Sequence, residues 1–115
     1  MKLYLNTLRL TLYMVSYGAS IQLKATLDKL QQKKSNLCCN DLKALLSELG
    51  FVVRDGKRGG HKIFTHPGLP SFKSGSYNCG HGKNPEIKPA YITKIIAVIR
   101  TYEGELKTYL ERCDD

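Results

Sequence analysis

Leu42, Leu45, Leu46 and Leu49 fall at i, i+3, i+4 and i+7, and the residue after them is Gly50. That spacing lines one side of a single helix with leucine, and a glycine just past the last turn ends it by taking the left-handed conformation other residues avoid. Directly behind this stop come Phe51-Val52-Val53-Arg54, then Asp55-Gly56-Lys57-Arg58-Gly59-Gly60, then His61-Lys62-Ile63-Phe64-Thr65-His66 before Pro67. β-Branched and aromatic residues on both sides of a glycine-rich turn predict a β-hairpin. A striped helix leading straight into a hairpin has to lay its leucines on one face of the strands, because neither element can bury its apolar side alone.

The remaining elements follow from the same reasoning. Asn40 or Asp41 is placed to cap the leucine helix. Ser20 is an N-cap candidate, and Ile21, Leu23, Leu27 and Leu30 behind it predict a helix over about 21–34 that ends in a polar Gln-Gln-Lys-Lys-Ser-Asn stretch. Before it, Leu3, Leu5, Leu8, Leu10 and Leu12 are interleaved with polar residues, which predicts a short strand or an irregular arm. A third extended piece is expected around 72–79, followed by the loop Gly80-His81-Gly82-Lys83-Asn84-Pro85. Pro89 opens a last helix with an Ile92, Ile95, Ile96, Ile99 face, and Gly104 kinks or divides it from a tail carrying Leu106, Tyr109 and Leu110. The expected fold is α+β: a helix–three strands–helix core over 40–115 with a helical tail, preceded by an extension over 1–39. Two amphipathic helices would cover one face of the sheet and leave the other open to a ligand.

The chain has 115 residues, 42% of them hydrophobic, which suffices for one modest core. Eighteen Lys and Arg face ten Asp and Glu, a net charge of +8 with a pI near 9.4, and this favours a polyanionic partner. Charge by itself does not choose between RNA, DNA, an acidic protein and a membrane surface. No run of ~18 apolar residues is present to span a bilayer, and Asn6, Arg9 and Thr11 interrupt any signal-like core near the start, so that segment reads as an extension. Cys38, Cys39, Cys79 and Cys113 lack paired Cys-x-x-Cys spacing, and the vicinal pair is poorly placed for a structural disulfide. Reduced thiols in a cytoplasmic protein are therefore expected. Cys79 and His81 offer only two ligands one residue apart, so no metal and no cofactor is expected.

The chemistry-bearing residues gather at the hairpin. Gly59 and Gly60 let backbone N–H groups come close to a phosphate, while Lys57, Arg58 and Lys62 surround the same point with positive charge. His61 sits among them. RNA is cut without a metal when a base takes the 2′-OH proton, an acid protonates the leaving 5′-oxygen and cations stabilise the charged phosphorus centre; histidine, with an unperturbed pKa of ~6.5, suits the proton transfers. From spacing alone His61 reads first as a solvated strand-edge residue that caps the hairpin. Strand parity puts 61, 63 and 65 on one face and 62, 64 and 66 on the other, so His66 does not share the face of His61. A core Ile63 would conflict with an open His61, and a frayed strand start at His61 is the expected resolution. His81 is either a second acid/base or a residue that shapes its loop. Lys83 and Lys88, near the start of the last helix, are either RNA-backbone contacts or ordinary solvated lysines. Of seven tyrosines, Tyr77 alone falls on the suspected binding sheet, where it could stack on a base.

Two blocks carry a family resemblance. Asp41 to Pro67 (DLKALLSELGFVVRDGKRGGHKIFTHP) and Cys79 to Ile96 (CGHGKNPEIKPAYITKII) resemble, in order, the core of the HicA family of mRNA-interferase toxins, with His81, Glu86, Lys88 and Pro89 matching in the second block. The resemblance covers about Asn40 to Ile99. It implies a double-stranded-RNA-binding-domain-like α-β-β-β-α core, His61 as the active-site residue, mRNA as substrate and a HicB-like antitoxin as inhibitory partner. The family commonly has Gly-Ser-His where this chain has Gly59-Gly60-His61, which removes a hydroxyl able to bind phosphate. The 39 preceding residues and the tail are additions to the family's usual core. The leading expectation is thus a metal-independent endoribonuclease. A non-catalytic RNA-binding module of the same fold is the alternative, and a protein-interaction domain the third reading; RNA cleavage that depends on His61 separates the first from both.

Overall fold

The computed structural model describes the backbone of residues 2–113 and the side chains of residues 17–112. Among the described residues four helices and three strands follow one another as α1 (Lys2–Gln32), α2 (Cys39–Glu48), β1 (Val52–Asp55), β2 (His61–Thr65), β3 (Gly75–Asn78), α3 (Pro89–Thr101) and α4 (Glu103–Cys113). The fold is α+β, with one antiparallel sheet in the order β1-β2-β3.

The leucine helix and the hairpin lie where their patterns put them. Leu42, Leu45 and Leu46 of α2 are buried, and Gly50 takes φ +93° just beyond the C-cap Leu49. The start of α2 differs from expectation. Cys38 is the N-cap, its N–H donating to the Asp41 carboxylate at 3.3 Å, and the Asn40 N–H donates to Asn84 Oδ1 at 2.9 Å. The first turn is thus satisfied from a distant loop, a partner that local sequence does not reveal.

In the sheet, Val53, Phe64 and Gly75 are in register and face the helices, while Arg54, Ile63 and Ser76 face the other way. Phe64, Tyr77, Ile92, Ile95 and Ile99 are buried with the α2 leucines in one core. Full burial of each such side chain contributes roughly 1.5–3 kcal/mol relative to exposure. Tyr102 ends α3 and α4 begins at Glu103, so the tail divides from the last helix next to Gly104, as expected.

The first 39 residues depart furthest from the sequence reading. The expected strand or arm over 3–12 and the helix start at Ser20 are replaced by one continuous helix of 31 residues. Its inward positions are Ala19, Leu23, Thr26 and Leu30, spaced by four, three and four, whereas Ile21 is 50% exposed. Starting the helix at Ser20 hid Ala19 and misplaced the stripe. The helix packs against α4 and α3, and Leu23, Leu30 and Leu37 belong to the same core as the sheet. Thr26 answers its buried hydroxyl by donating to Gln22 O at 3.0 Å. Among the described residues no helix is long and apolar enough to cross a membrane.

The reading of all thiols as reduced is overturned. Cys39 and Cys79 form a disulfide with their Cα atoms 5.5 Å apart, joining the start of α2 to the residue after β3, while Cys38 is free. The sequence directed attention to the vicinal pair, but the helix turns Cys39 inward and the sheet brings Cys79 beneath it from forty residues away. Beside this bond, Cys39 N–H donates to Pro85 O and Ile87 N–H to Leu37 O, both at 2.8 Å, and Cys38 bridges Glu86. The polar loop after β3 is thereby fastened to α2.

Candidate functional site

The open face of the sheet carries His61. It is paired in the ladder with Asn78, its carbonyl accepts from Gly56 N–H at 2.8 Å, and its N–H donates to Arg58 O at 3.1 Å. The frayed start expected at this position is therefore absent. The parity conflict resolves differently: Ile63 is no core residue but lies half-buried on the open face beside His61, and Phe64 takes the core position.

A cavity of about 480 Å³ opens between the hairpin turn and this face, lined by Lys57, Arg58, His61, Ile63 and Asn78. Two cations from the turn, one imidazole and one amide converge on it, with Ile63 as an apolar floor. Gly56 makes room for the ring, since a Cβ at that position would overlap His61 Cδ2. Gly60 has φ +80°, and a Cβ there would lie 2.7 Å from Gly80 O. Glycine at position 60 is therefore required by the backbone in this chain, because an L side chain at that angle is strained and meets fixed main chain.

A second cavity, of about 370 Å³, adjoins the first. Arg58 and Asn78 line both, and His81, Glu86, Lys88 and Tyr91 line the second alone. Tyr91 is half-buried and its hydroxyl accepts from Asn78 Nδ2 at 3.2 Å. The structure thus brings Lys57, Arg58 and His61 into one cavity, and Arg58, Gly59, His81 and Lys88 into its neighbour.

Three expected RNA contacts, Gly60, Lys62 and Lys83, line neither cavity. Lys62 leaves the opposite face of β2 and its ammonium is hydrogen-bonded to Asp55, which holds that carboxyl below its ordinary range, first through the hydrogen bond and then through charge. Lys83 is exposed in the loop after β3 and lines neither cavity. Tyr77, expected as a stacking platform, is 1% exposed inside the core. Among the described residues its hydroxyl has no hydrogen-bond partner, and burial pushes its pKa up to about 12. His66 is also a core residue: Nδ1 accepts from Gly68 N–H at 3.0 Å, which leaves Nε2–H to donate to Leu49 O at 2.8 Å. Its ring packs edge-on against Phe51 and Tyr109.

Sequence reasoning missed Asn78, Tyr91 and the spatial role of Gly56. Only the β2–β3 register reveals that Asn78 stands beside His61, and Gly56 read merely as a turn residue. Cys79 is tied to Cys39, which removes it as a partner for His81, and among the described residues no group of three or more His, Cys, Asp or Glu is gathered to hold a metal. No protein-family model, characterised protein or solved structure matches the chain.

Proposed function

We propose that this protein is an endoribonuclease that cuts mRNA by metal-independent acid/base chemistry at His61, in the manner of the HicA toxins its sequence resembles. The observation that carries the reading is the convergence of His61, Lys57 and Arg58 on one cavity on the uncovered face of the sheet. His61 takes the proton of the 2′-OH, the 2′-oxygen attacks the phosphorus, and the bond to the 5′-oxygen breaks. The leaving oxygen takes a proton relayed through water, and the products are a 2′,3′-cyclic phosphate and a 5′-hydroxyl end. Lys57 and Arg58 stabilise the added negative charge on the phosphoryl oxygens.

The α-β-β-β-α core in this reading is of the double-stranded-RNA-binding-domain type. The work is done in the cytoplasm, where mRNA is found, and a HicB-like antitoxin silences the protein by covering the His61 face. The deciding experiment induces the chain and its His61→Ala variant in cells and follows growth with the integrity of a reporter mRNA. Growth arrest and mRNA loss present in the first and absent in the second are expected.

A second reading, a non-catalytic RNA-binding module, is favoured by one observation: Gly60 supplies no hydroxyl and its backbone admits none without strain. Equal, harmless behaviour of both chains with retained RNA affinity selects it. Loss of RNA affinity altogether selects a protein-interaction domain.

A further inference from the structure

The cavity next to that of His61 differs from it in one respect that a phosphate backbone does not account for. It is lined by a carboxylate, Glu86, alongside the cations Arg58 and Lys88. Among the described residues Glu86 makes no ion pair, since the one salt bridge joins Lys62 to Asp55. A free carboxylate repels phosphate and accepts N–H donors from a ligand that displaces its water. In a bound RNA those donors are on base edges, and guanine alone presents two adjacent ones on its Watson–Crick edge, N1–H and the 2-amino group, matching the two carboxylate oxygens.

The rest of the cavity fits the same occupant. Tyr91 offers a half-buried ring on which a base can stack, and its hydroxyl is fixed by Asn78. At about 370 Å³ the cavity falls within the range of about 300–1,000 Å³ typical of small-ligand sites. Its wall is held in advance, because Glu86 is bridged to Cys38, Ile87 is hydrogen-bonded to Leu37 and Cys79 is bonded to Cys39. Arg58 and Asn78 belong to both cavities, so a nucleotide here is directly continuous with a phosphate facing His61.

We infer that this second cavity is a guanine subsite, in which Glu86 pairs with the Watson–Crick edge and Tyr91 stacks on the base of the nucleotide adjoining the scissile phosphate. The inference rests on RNA being the substrate, but its test does not depend on cleavage. Guanosine, adenosine, cytidine and uridine 3′-monophosphates are titrated in turn into the full-length His61→Ala protein while backbone amide shifts are followed. The guanosine nucleotide is expected to bind at least about tenfold tighter than the others, in line with one bidentate base contact, and to shift the amides of Asn78 and Tyr91. Adding Glu86→Gln should erase the preference, and adding Tyr91→Ala should weaken all four nucleotides. Glu86 is exposed, so its variant is expected to keep the parent's melting temperature. Should Glu86→Gln unfold the chain, Tyr91→Phe, which keeps the ring, must retain the guanosine preference. Equal binding of the four nucleotides, no binding of any, or a guanosine preference that survives Glu86→Gln overturns the subsite. His61-dependent mRNA cleavage with no base preference beside the cut also overturns it and leaves the nuclease reading standing.

Discussion

His61 lies where it does because Gly56 has no side chain. A methyl at Gly56 would occupy the space of the imidazole, so Gly56→Ala should displace the ring while leaving the strand pairing intact. A misplacement of about 1 Å can cost roughly a hundredfold in rate. On the proposed nuclease reading RNA cleavage falls by about that factor with a nearly unchanged melting curve, and a loss of stability in step with activity would show that Gly56 serves the fold instead. Gly60→Ser acts in the opposite way. At φ +80° and against Gly80 O it should lower unfolding free energy by at least about 1–2 kcal/mol, read from urea midpoints. Tyr77 carries a buried hydroxyl without a partner among the described residues, so Tyr77→Phe should leave stability unchanged or raise it by about 1 kcal/mol. That hydroxyl keeps its proton in the fold up to about pH 12, while the unfolded chain ionises from its ordinary value of 10.0. Its contribution is complete below pH 10 and is lost as pH rises toward 12, by up to ~1.4 kcal/mol per pH unit. The alkaline slope of stability should be shallower in Tyr77→Phe.

At the level of elements, the disulfide between α2 and the end of β3 is the strongest single tie. It closes a loop with a sequence separation of 40, for which chain-entropy reasoning gives about 4 kcal/mol. Cys39→Ser, or a dithiol reductant added to the native protein, should lower the urea midpoint accordingly, and equal midpoints with and without reductant would show the two thiols to be unlinked. Cytoplasmic thiols are ordinarily kept reduced, so the same measurement on protein taken directly from cells bears on the compartment. The elements themselves were unequally legible. The leucine stripe, Gly50 and the β-branched runs mark α2, β1 and β2 because period and punctuation coincide there. The first half of α1 was misread because its apolar residues also suit alternation, and because Ser20, a good cap in isolation, is a helix-interior residue here. The described side chains of α1 that turn inward begin at Ala19, and this half of the helix packs on α3 and α4.

For the whole molecule, the net charge of +8 becomes meaningful only where cations share a surface. Lys57, Arg58 and Lys88 line the two adjoining cavities, and on the proposed RNA-binding reading three phosphate contacts to a single strand give log affinity falling with log salt at a slope of about −2. Arg58→Ala should make that slope shallower by about 0.7, measured with a short unstructured RNA between low and moderate salt; an affinity indifferent to salt would exclude a phosphate-binding role for this face. By itself the sequence determined the α+β class, the hairpin, the open face, the parity that parts His61 from His66 and the placing of Lys57 and Arg58 beside His61. All of these follow from periodicity and neighbours within a few residues. Only the tertiary structure decided the Cys39–Cys79 bond, the burial of Tyr77, the place of Asn78 beside His61, the requirement for glycine at 60 and the joining of Glu86, Lys88 and Tyr91 into a second cavity. Each of these depends on main chain brought together from distant parts of the sequence, and no local pattern of side chains encodes that approach.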